Sequence, residues 1–259
     1  MESWAIFTHA VRMVFTNFGD AIKVTGVLYL AMFVAQVVLV GTLFTDNEAM
    51  QAAMMAGTLP WGAFGLYMVI ALVLSIWAVI GWHRYVLLEE RPSFVPKFLP
   101  ANILSYIWRT ILVSLIIVIP AFLAGIIAGF VGGVIGAVVG REGAGFLGAT
   151  FGGLAGVAIA ILIAYRFSPI FPSTALGNAM GFGEAWEKLR GKNVMLIALA
   201  LISAAASLIL SIPTFFLDPA SVIAQAYALV IGWVQLTVGA SIITTLYGVY
   251  VEGRELPRA

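Results

Sequence analysis

The stretch FLAGIIAGFVGGVIGAVVGREGAGFLGATFGGLAGVAIAILIAY, from Phe122 to Tyr165, decides what kind of fold this chain can adopt. It contains two long uncharged segments, and the only charged residues between them are Arg141 and Glu142. A helix needs about 20 consecutive apolar residues to cross the hydrocarbon core of a bilayer. The stretch therefore predicts two membrane-spanning helices joined by a short turn.

Small residues recur along both segments at the spacing of one helical turn. The predicted packing positions are Gly125, Gly129 and Gly133 on the first segment and Gly148, Gly152 and Gly156 on the second. Small residues four apart let two helix backbones approach until they touch, which increases dispersion contact between helices in lipid. A phosphate-binding loop would need a Gly-Lys-Ser/Thr ending after a strand, and the sequence has none here. We therefore expect tight helix packing, and a pliable, moving helix pair is the alternative.

The composition of the whole chain also indicates a membrane protein. Of 259 residues, 62% are hydrophobic and only 10% are charged, whereas charged residues make up about a quarter of a soluble domain. The formal net charge of +1 provides no global field for nucleic acid. The chain has no cysteine, which excludes disulfides and thiolate chemistry. Lipid is therefore the expected solvent.

Six uncharged stretches reach the length of a membrane span, which predicts an all-α polytopic fold forming one transmembrane domain over residues 1–259. The predicted spans are Val24–Phe44, Trp61–Trp82, a segment within Thr110–Gly140, Phe146–Tyr165, Val194–Leu217 and a segment within Pro219–Val251. The third and sixth stretches are longer than one crossing requires, so each must tilt, bend or continue into the interface.

The distribution of basic residues predicts the orientation of these spans. Of the 13 Lys and Arg residues, only Arg141 falls on one side of the predicted membrane. An excess of Lys and Arg in short loops marks the cytoplasmic side. We therefore expect both termini in the cytoplasm and the protein in a bacterial inner membrane. Glu2 and Asp20 in the leading segment argue against a cleaved signal peptide.

Amphipathic patterns on the same side predict two or three helices lying flat on the membrane. The first covers residues 1–23, where apolar residues recur at three- and four-residue steps. GFGEAWEKLRGKN, from Gly181 to Asn193, repeats the pattern, and PANILSYIWRT, from Pro100 to Thr110, is a shorter version. The order helix, span, span would then occur three times, over 1–88, 93–166 and 178–251. Three unrelated hairpins of similar length would produce the same spacing.

Arginines next to aromatic residues mark the predicted cytoplasmic borders of the spans. The candidates for contact with a lipid head group or a partner are Arg84, Tyr85, Arg109, Arg166 and Trp186. Arginine forms paired hydrogen bonds to phosphate oxygens, but arginine and aromatic rings also anchor helices at the interface without binding a specific ligand. Both interpretations remain open from the sequence. Pro169 and Pro172 predict an extended chain after Arg166.

The sequence predicts no catalytic, cofactor-binding or metal-binding residues. His9 and His83 are the only histidines, and a metal site requires several convergent donors. No charged residue lies near the centre of a predicted span, which disfavours transport coupled through a buried carboxylate. The main polar groups at that depth are Gln36, Gln225, Gln235 and Thr237. They either cross-link helices, which we favour, or line a polar path.

One segment resembles a known pattern. AYRFSPIFPSTALG, followed by FGEAWEKLRGKN and a new span, is similar to bacterial six-span membrane proteins of uncharacterised function, and these resemble the membrane domain of some glycerophosphodiester phosphodiesterases. The residues that carry the resemblance are Arg166, Pro169, Pro172, Ala175, Ala185, Trp186 and Asn193. The resemblance implies a six-helix membrane unit, and that domain is not the catalytic part of those enzymes.

The function we expect from the sequence is non-enzymatic. The protein would act as a scaffold, accessory subunit or assembly factor that binds membrane lipids or another membrane protein. The first alternative is a carrier or channel for a small neutral or lipid-like solute, with the glycine-rich helix pair as its moving part. The second is a membrane-embedded enzyme that modifies lipids.

Overall fold

The structure, a computed structural model, describes residues 2–41, 47–138, 140–218 and 221–256, without the side chains of Asn47, Ala49, Arg141 and Glu142. The described residues form helices and no strand. Six helical segments are long and apolar enough to cross a membrane: Phe18–Val40, Trp61–Leu88, Pro100–Ala137, Gly143–Ala175, Asn193–Phe215 and Val222–Tyr250. The predicted all-α, six-span polytopic fold is confirmed. The predicted ends at Phe44 and Pro219 lie outside the described residues.

Eleven α-helices are present in the described part of the chain. They are α1 (Glu2–Thr16), α2 (Phe18–Ala21), α3 (Val27–Val40), α4 (Asn47–Met55), α5 (Trp61–Leu88), α6 (Pro100–Ala137), α7 (Arg141–Phe167), α8 (Ile170–Ala175), α9 (Phe182–Lys188), α10 (Asn193–Ser211) and α11 (Val222–Tyr250). A π-helical turn, Ile22–Gly26, joins α2 to α3, and a 3₁₀ turn, Ile212–Phe215, follows α10.

The first helix packs against other helices through a narrow stripe of residues. Ile6, Ala10 and Val14 are fully buried, and α1 contacts both α10 and α11. Trp4 and Phe15, which the periodicity placed on the same apolar face as Val14, are instead 59% and 51% exposed. The apolar side chains of α1 are therefore divided between a protein-facing stripe and an outward-facing aromatic surface.

Several boundaries differ from those predicted. α5 extends to Leu88, so His83, Arg84 and Tyr85 lie within its last turns rather than after it. PANILSYIWRT is the beginning of the long helix α6 and not a separate surface helix; Pro100 starts that helix because the first helical turn needs no backbone N–H from proline.

The prediction of an extended chain after Arg166 is wrong. Ile170–Ala175 forms the short helix α8, with Pro169 immediately before it and Pro172 in its first turn. A proline is tolerated there because the first-turn N–H groups have no intrahelical acceptor. The two prolines therefore begin a new helix instead of preventing one.

The α6/α7 hairpin is held together by direct backbone contact. A Cβ atom placed on Gly152 would lie 2.8 Å from the carbonyl oxygen of Gly125, and one on Gly129 would lie 3.2 Å from that of Gly148. Gly132 and Gly136 are buried and even closer to the backbone of α7. The contact surface therefore includes glycines from two neighbouring rows of α6.

Both described chain ends lie at the same end of the bundle. The hydroxyl of Tyr250, the last residue of α11, donates to Glu2 Oε1 at 2.6 Å, and Lys192 Nζ lies 3.0 Å from the same carboxylate. Arg84 and Arg166 lie in the last turns of α5 and α7 on this side, and Arg254, which follows α11, donates to the carbonyl oxygen of Leu87 in the last turn of α5 at 2.9 Å. We call this end, with the arginines and the first turn of α1, the basic end.

A candidate lipid site at the basic end

The connector between α5 and α6, residues 89–99, lies directly against α5. Trp77 Nε1 donates to the carbonyl oxygen of Pro96 at 3.1 Å. Gly81 makes this approach possible, because a Cβ atom at that position would lie 2.9 Å from the Pro96 ring. Glu89 ends α5 in the left-handed conformation, with a φ of 54°. The chain thereby turns back at once, and Glu90 faces α5.

Arg84 links the connector to α8. Its Nε donates to Glu90 Oε2 at 3.1 Å, its Nη2 bonds to Glu90 Oε1, and its Nη1 donates to the carbonyl oxygen of Ala175 at 3.1 Å. Asn102 Nδ2 donates to the same carbonyl at 3.0 Å. Arg84 therefore hydrogen-bonds to the carbonyl group at the C-terminus of α8 and forms an ion pair with the carboxylate of Glu90. Both contacts hold the connector and α8 in place around the site.

A pocket of about 420 Å³ opens between α5 and the connector. We call it the connector pocket, and it is lined by Val24, Gly81, Arg84, Tyr85, Glu90, Arg91, Ser93, Val95, Pro96 and Lys97. Arg91 and Lys97 are exposed, and neither forms an ion pair with a described residue. Since Arg84 and Glu90 form an ion pair, Arg91 and Lys97 give the residues that line the pocket an excess of two positive charges.

Apolar side chains surround these charges. Phe94, Val95 and Phe98 are all more than half exposed, at 58%, 57% and 54%, and the rings of Phe98 and Trp77 make an edge contact with centroids 4.9 Å apart. Cationic side chains beside exposed aromatic rings are typical of the membrane–water interface. The connector is thus suited to hold a phosphate with its cations and acyl chains with its rings.

The other predicted arginines lie at separate positions and have acceptors within the chain. Arg109 Nη1 donates to the carbonyl oxygen of Met180 at 2.6 Å. Arg166 is only 5% exposed; it bonds to Asn193 Oδ1, and its guanidinium lies 4.4 Å from the centroid of the Trp186 ring. The structure therefore brings Arg84 and Tyr85 to the pocket but not Arg109, Arg166 and Trp186. Lipid contact by these five residues stays a prediction.

Three hydrogen-bonded relays connect the helices behind the connector pocket. Trp82 Nε1 donates to Ser241 Oγ at 2.8 Å, and Trp233 Nε1 donates to Thr25 Oγ1 at 2.8 Å. Each hydroxyl in turn donates to the carbonyl four residues earlier on its own helix. We call these contacts the hydroxyl relays. They satisfy both ring N–H groups where no water is available.

His83 forms the third relay. Its Nδ1 lies 2.7 Å from Thr244 Oγ1, and that hydroxyl donates to the carbonyl oxygen of Ala240 at 2.7 Å. Nδ1 must therefore carry the hydrogen, which leaves Nε2 as an acceptor. Nε2 is buried and has no partner among the described residues. His83 thus serves as a helix contact.

His9 lies on α1, where partial burial and then the nearby Arg12 lower the pKa of its imidazole. Among the described residues no three His, Cys, Asp or Glu side chains are close enough to hold a metal ion.

Sequence reasoning missed the parts played by the connector and by the hydroxyls. Arg91 and Lys97 were counted only for orientation, although RPSFVPKFLP places them beside prolines and exposed Phe residues. Thr237, Ser241, Thr244 and Thr245 recur at helical spacing on α11. That hydroxyl stripe was a readable signal of a buried polar helix face.

Comparison with known proteins yields no relative: no protein-family model matches this chain, and no curated protein or solved structure is significantly similar to it. The resemblance to the phosphodiesterase membrane domain therefore stays a prediction. Among the residues that carry it, Arg166 contacts both Trp186 and Asn193.

Proposed function

We propose that this chain is a membrane scaffold or accessory subunit that binds anionic phospholipid in the connector pocket. The observation that carries the proposal is the pair of exposed cations, Arg91 and Lys97, on a connector that also exposes Phe94, Val95 and Phe98. A phospholipid phosphate would pair with the cations, and its acyl chains would contact the rings. Each Lys or Arg near an anionic surface contributes about 1 kcal/mol to such binding.

The orientation we propose places the basic end in the cytoplasm of a bacterial inner membrane. Eleven of the 13 Lys and Arg residues of the sequence belong to α1, to the N-terminal part of α6, or to the described loops and helix ends on this side, and Arg141 stands at the opposite end, at the start of α7. The bias of basic residues toward the cytoplasm supports this orientation. Anionic lipids of the cytoplasmic leaflet would then face the connector pocket.

Lipid retention by the purified protein tests the proposal. The full chain in mild detergent would be mixed with dioleoylphosphatidylglycerol or with dioleoylphosphatidylcholine, and native mass spectrometry would count the lipids retained. We expect preferential retention of phosphatidylglycerol. The double variant Arg91→Gln/Lys97→Gln should lower that retention about tenfold, since it removes two charge-assisted contacts.

The matched control removes the same charge elsewhere at the basic end. Arg12 and Lys188 are exposed and do not line the connector pocket, so Arg12→Gln/Lys188→Gln should retain phosphatidylglycerol like the wild type. An equal loss in both double variants would show attraction by overall charge without a site. Equal retention of the two lipids by the wild type would refute anionic selectivity. A membrane protein that co-purifies with the chain would support the scaffold role and identify its partner.

A further inference from the structure

A second cavity lies at the opposite side of α11 from the hydroxyl relays. Helices α10 and α11 make few direct contacts with each other, whereas α1 packs on both of them. The space between them has a volume of about 430 Å³. We call it the α10/α11 groove, and it is lined by Phe7, Val11, Phe15, Tyr165, Ser203, Ala206, Ser207, Ile209, Leu210, Val234, Gln235, Val238, Gly239 and Ile242.

No charged residue is among those that line the groove. Most of the lining is aliphatic or aromatic, which suits a hydrocarbon chain. The exceptions are four uncharged polar side chains: Tyr165, Ser203, Ser207 and Gln235. The Tyr165 hydroxyl lies 3.5 Å from Ser203 Oγ. The Ser203 hydroxyl in turn donates to the carbonyl oxygen of Leu199 at 2.9 Å. These two groups therefore already have partners within the protein.

Gln235 and Ser207 differ from them. Gln235 stands near the middle of α11 and is exposed, yet its amide forms no hydrogen bond with any described residue. The hydroxyl of Ser207, across the groove on α10, also has no partner in the described part of the chain. A primary amide that lacks a hydrogen-bond partner in an apolar medium is energetically unfavourable. Both groups face a space into which a ligand can bring donors and acceptors.

Gln36 shows that a glutamine side chain within a span of this protein can have a hydrogen-bond partner. Gln36 is also within a membrane-spanning segment, but its Oε1 accepts a hydrogen bond from the Tyr67 hydroxyl at 3.2 Å. One glutamine thus cross-links α3 to α5, as the sequence analysis favoured. Gln235 links α11 to none of the described residues, so its polar amide requires another explanation.

We propose that the α10/α11 groove binds an uncharged lipid that carries an ester carbonyl or a hydroxyl group. The hydrocarbon chains of the lipid lie against the aliphatic walls, and its polar group hydrogen-bonds to Gln235 and Ser207. The ligand is uncharged because the groove offers no counter-ion, and burial of an unpaired charge there would be far more costly than burial of a dipole. The site is separate from the connector pocket and independent of its function.

Native mass spectrometry of the full chain in mild detergent tests the assignment. Dioleoylglycerol is the probe, since it is uncharged and has ester and hydroxyl oxygens. Squalene, an uncharged hydrocarbon without oxygen, is the reference. We expect dioleoylglycerol to be retained in preference to squalene, and Gln235→Leu/Ser207→Ala should lower its retention at least about fivefold through the loss of two hydrogen bonds. Ala206→Phe, which fills the groove, should lower the retention of both probes.

Two controls keep the result specific. Gln36→Leu/Ser75→Ala removes the same chemical groups outside the groove and should retain dioleoylglycerol like the wild type. The Gln235→Leu/Ser207→Ala variant should keep its melting temperature, because neither side chain hydrogen-bonds to a described residue, and should keep its phosphatidylglycerol retention.

Equal retention of dioleoylglycerol and squalene, or no effect of Gln235→Leu/Ser207→Ala, would overturn the proposal and leave the groove to bilayer hydrocarbon chains. An equal loss in Gln36→Leu/Ser75→Ala would overturn it as well. Failure of phosphatidylglycerol binding alone would refute only the connector pocket.

Discussion

The α6/α7 hairpin and the bundle of α3, α5 and α11 solve the same packing problem in different ways. In the hairpin, glycines such as Gly129 and Gly152 bring two backbones into contact, and large apolar side chains point away from the interface: Phe130 is 72% exposed. In the bundle, the large side chains Trp82 and Trp233 are buried and donate to hydroxyls of neighbouring helices.

The difference shows that helix association in lipid needs no hydrophobic effect. Because lipid chains are as apolar as the side chains, the helices gain from close dispersion contact or from hydrogen bonds between helices. The hairpin uses the first and the bundle uses the second. The hairpin interface therefore tolerates no added atoms, whereas the bundle interface depends on individual donor–acceptor pairs. Two substitutions, one in each region, test this contrast, and a change of pH at the exposed α1/α11 contact gives a third and smaller expected effect.

The largest effect is expected from added volume in the hairpin. Gly152→Ile should destabilise the protein by about 3 kcal/mol, because its Cβ atom would meet the Gly125 carbonyl at 2.8 Å, and a backbone atom cannot move aside cheaply. Equilibrium unfolding in mixed micelles would measure the change.

The neighbouring glycine provides a matched control for that substitution. Gly153 is on the same helix, and a Cβ atom there would have nothing within 4 Å, so Gly153→Ile should not lower the stability, because isoleucine has a higher helix propensity than glycine. Equal losses in the two variants would show that the backbone contact at Gly152 does not account for the destabilisation.

A smaller effect is expected from breaking one hydroxyl relay. Ser241→Ala removes the acceptor of Trp82 Nε1 and should cost about 1 kcal/mol, the typical scale of hydrogen bonds between membrane helices. A double-mutant cycle with Trp82→Phe isolates the pair, and the coupling free energy should account for most of the loss.

Ser75→Ala is the control for the relay, because among the described residues Ser75 Oγ bonds to the Leu72 carbonyl of its own helix and to no other helix. Its substitution should leave stability nearly unchanged. A coupling free energy of zero between Trp82 and Ser241 would mean that shape alone holds the bundle together.

The smallest effect is expected at the exposed contact between α1 and α11. The Tyr250 hydroxyl, followed by Lys192, lowers the pKa of the Glu2 carboxyl. A group whose pKa is lower in the folded state stabilises the fold above its unfolded pKa, and the contribution is lost as the pH falls through the folded value. Lowering the pH from about 5 to about 3 should therefore loosen α1.

Because Glu2 is largely open to solvent, screening limits this contribution to ~0.3 kcal/mol. Hydrogen exchange of the α1 amides should accelerate at low pH in the wild type and less so in Glu2→Gln. The same acceleration in both proteins would assign the pH dependence to another group.

Part of the candidate site was predictable from the sequence, and part was not. Arg84 and Tyr85 were predicted as contacts because a charge beside an aromatic residue marks a span border. Arg91 and Lys97 were not, because nothing in their local pattern shows that Pro96 folds back onto Gly81. Likewise, both Gln36 and Gln235 lie within predicted spans, and only the neighbours in space distinguish the amide of Gln36, which bonds to Tyr67, from that of Gln235, which bonds to no described residue.

Local chemistry by itself determined that this chain forms six long apolar helices, since hydrophobic length and the distribution of Lys and Arg are properties of consecutive residues. The glycine spacing is also a local property of the sequence, because residues four apart lie on the same face of a helix whatever surrounds that helix. Tertiary structure alone decided which indole meets which hydroxyl, where the connector closes a pocket and which two helices stay apart. Those outcomes depend on residues up to 208 positions apart, as in the bond between Trp233 and Thr25, and no periodicity in the sequence encodes such a distance.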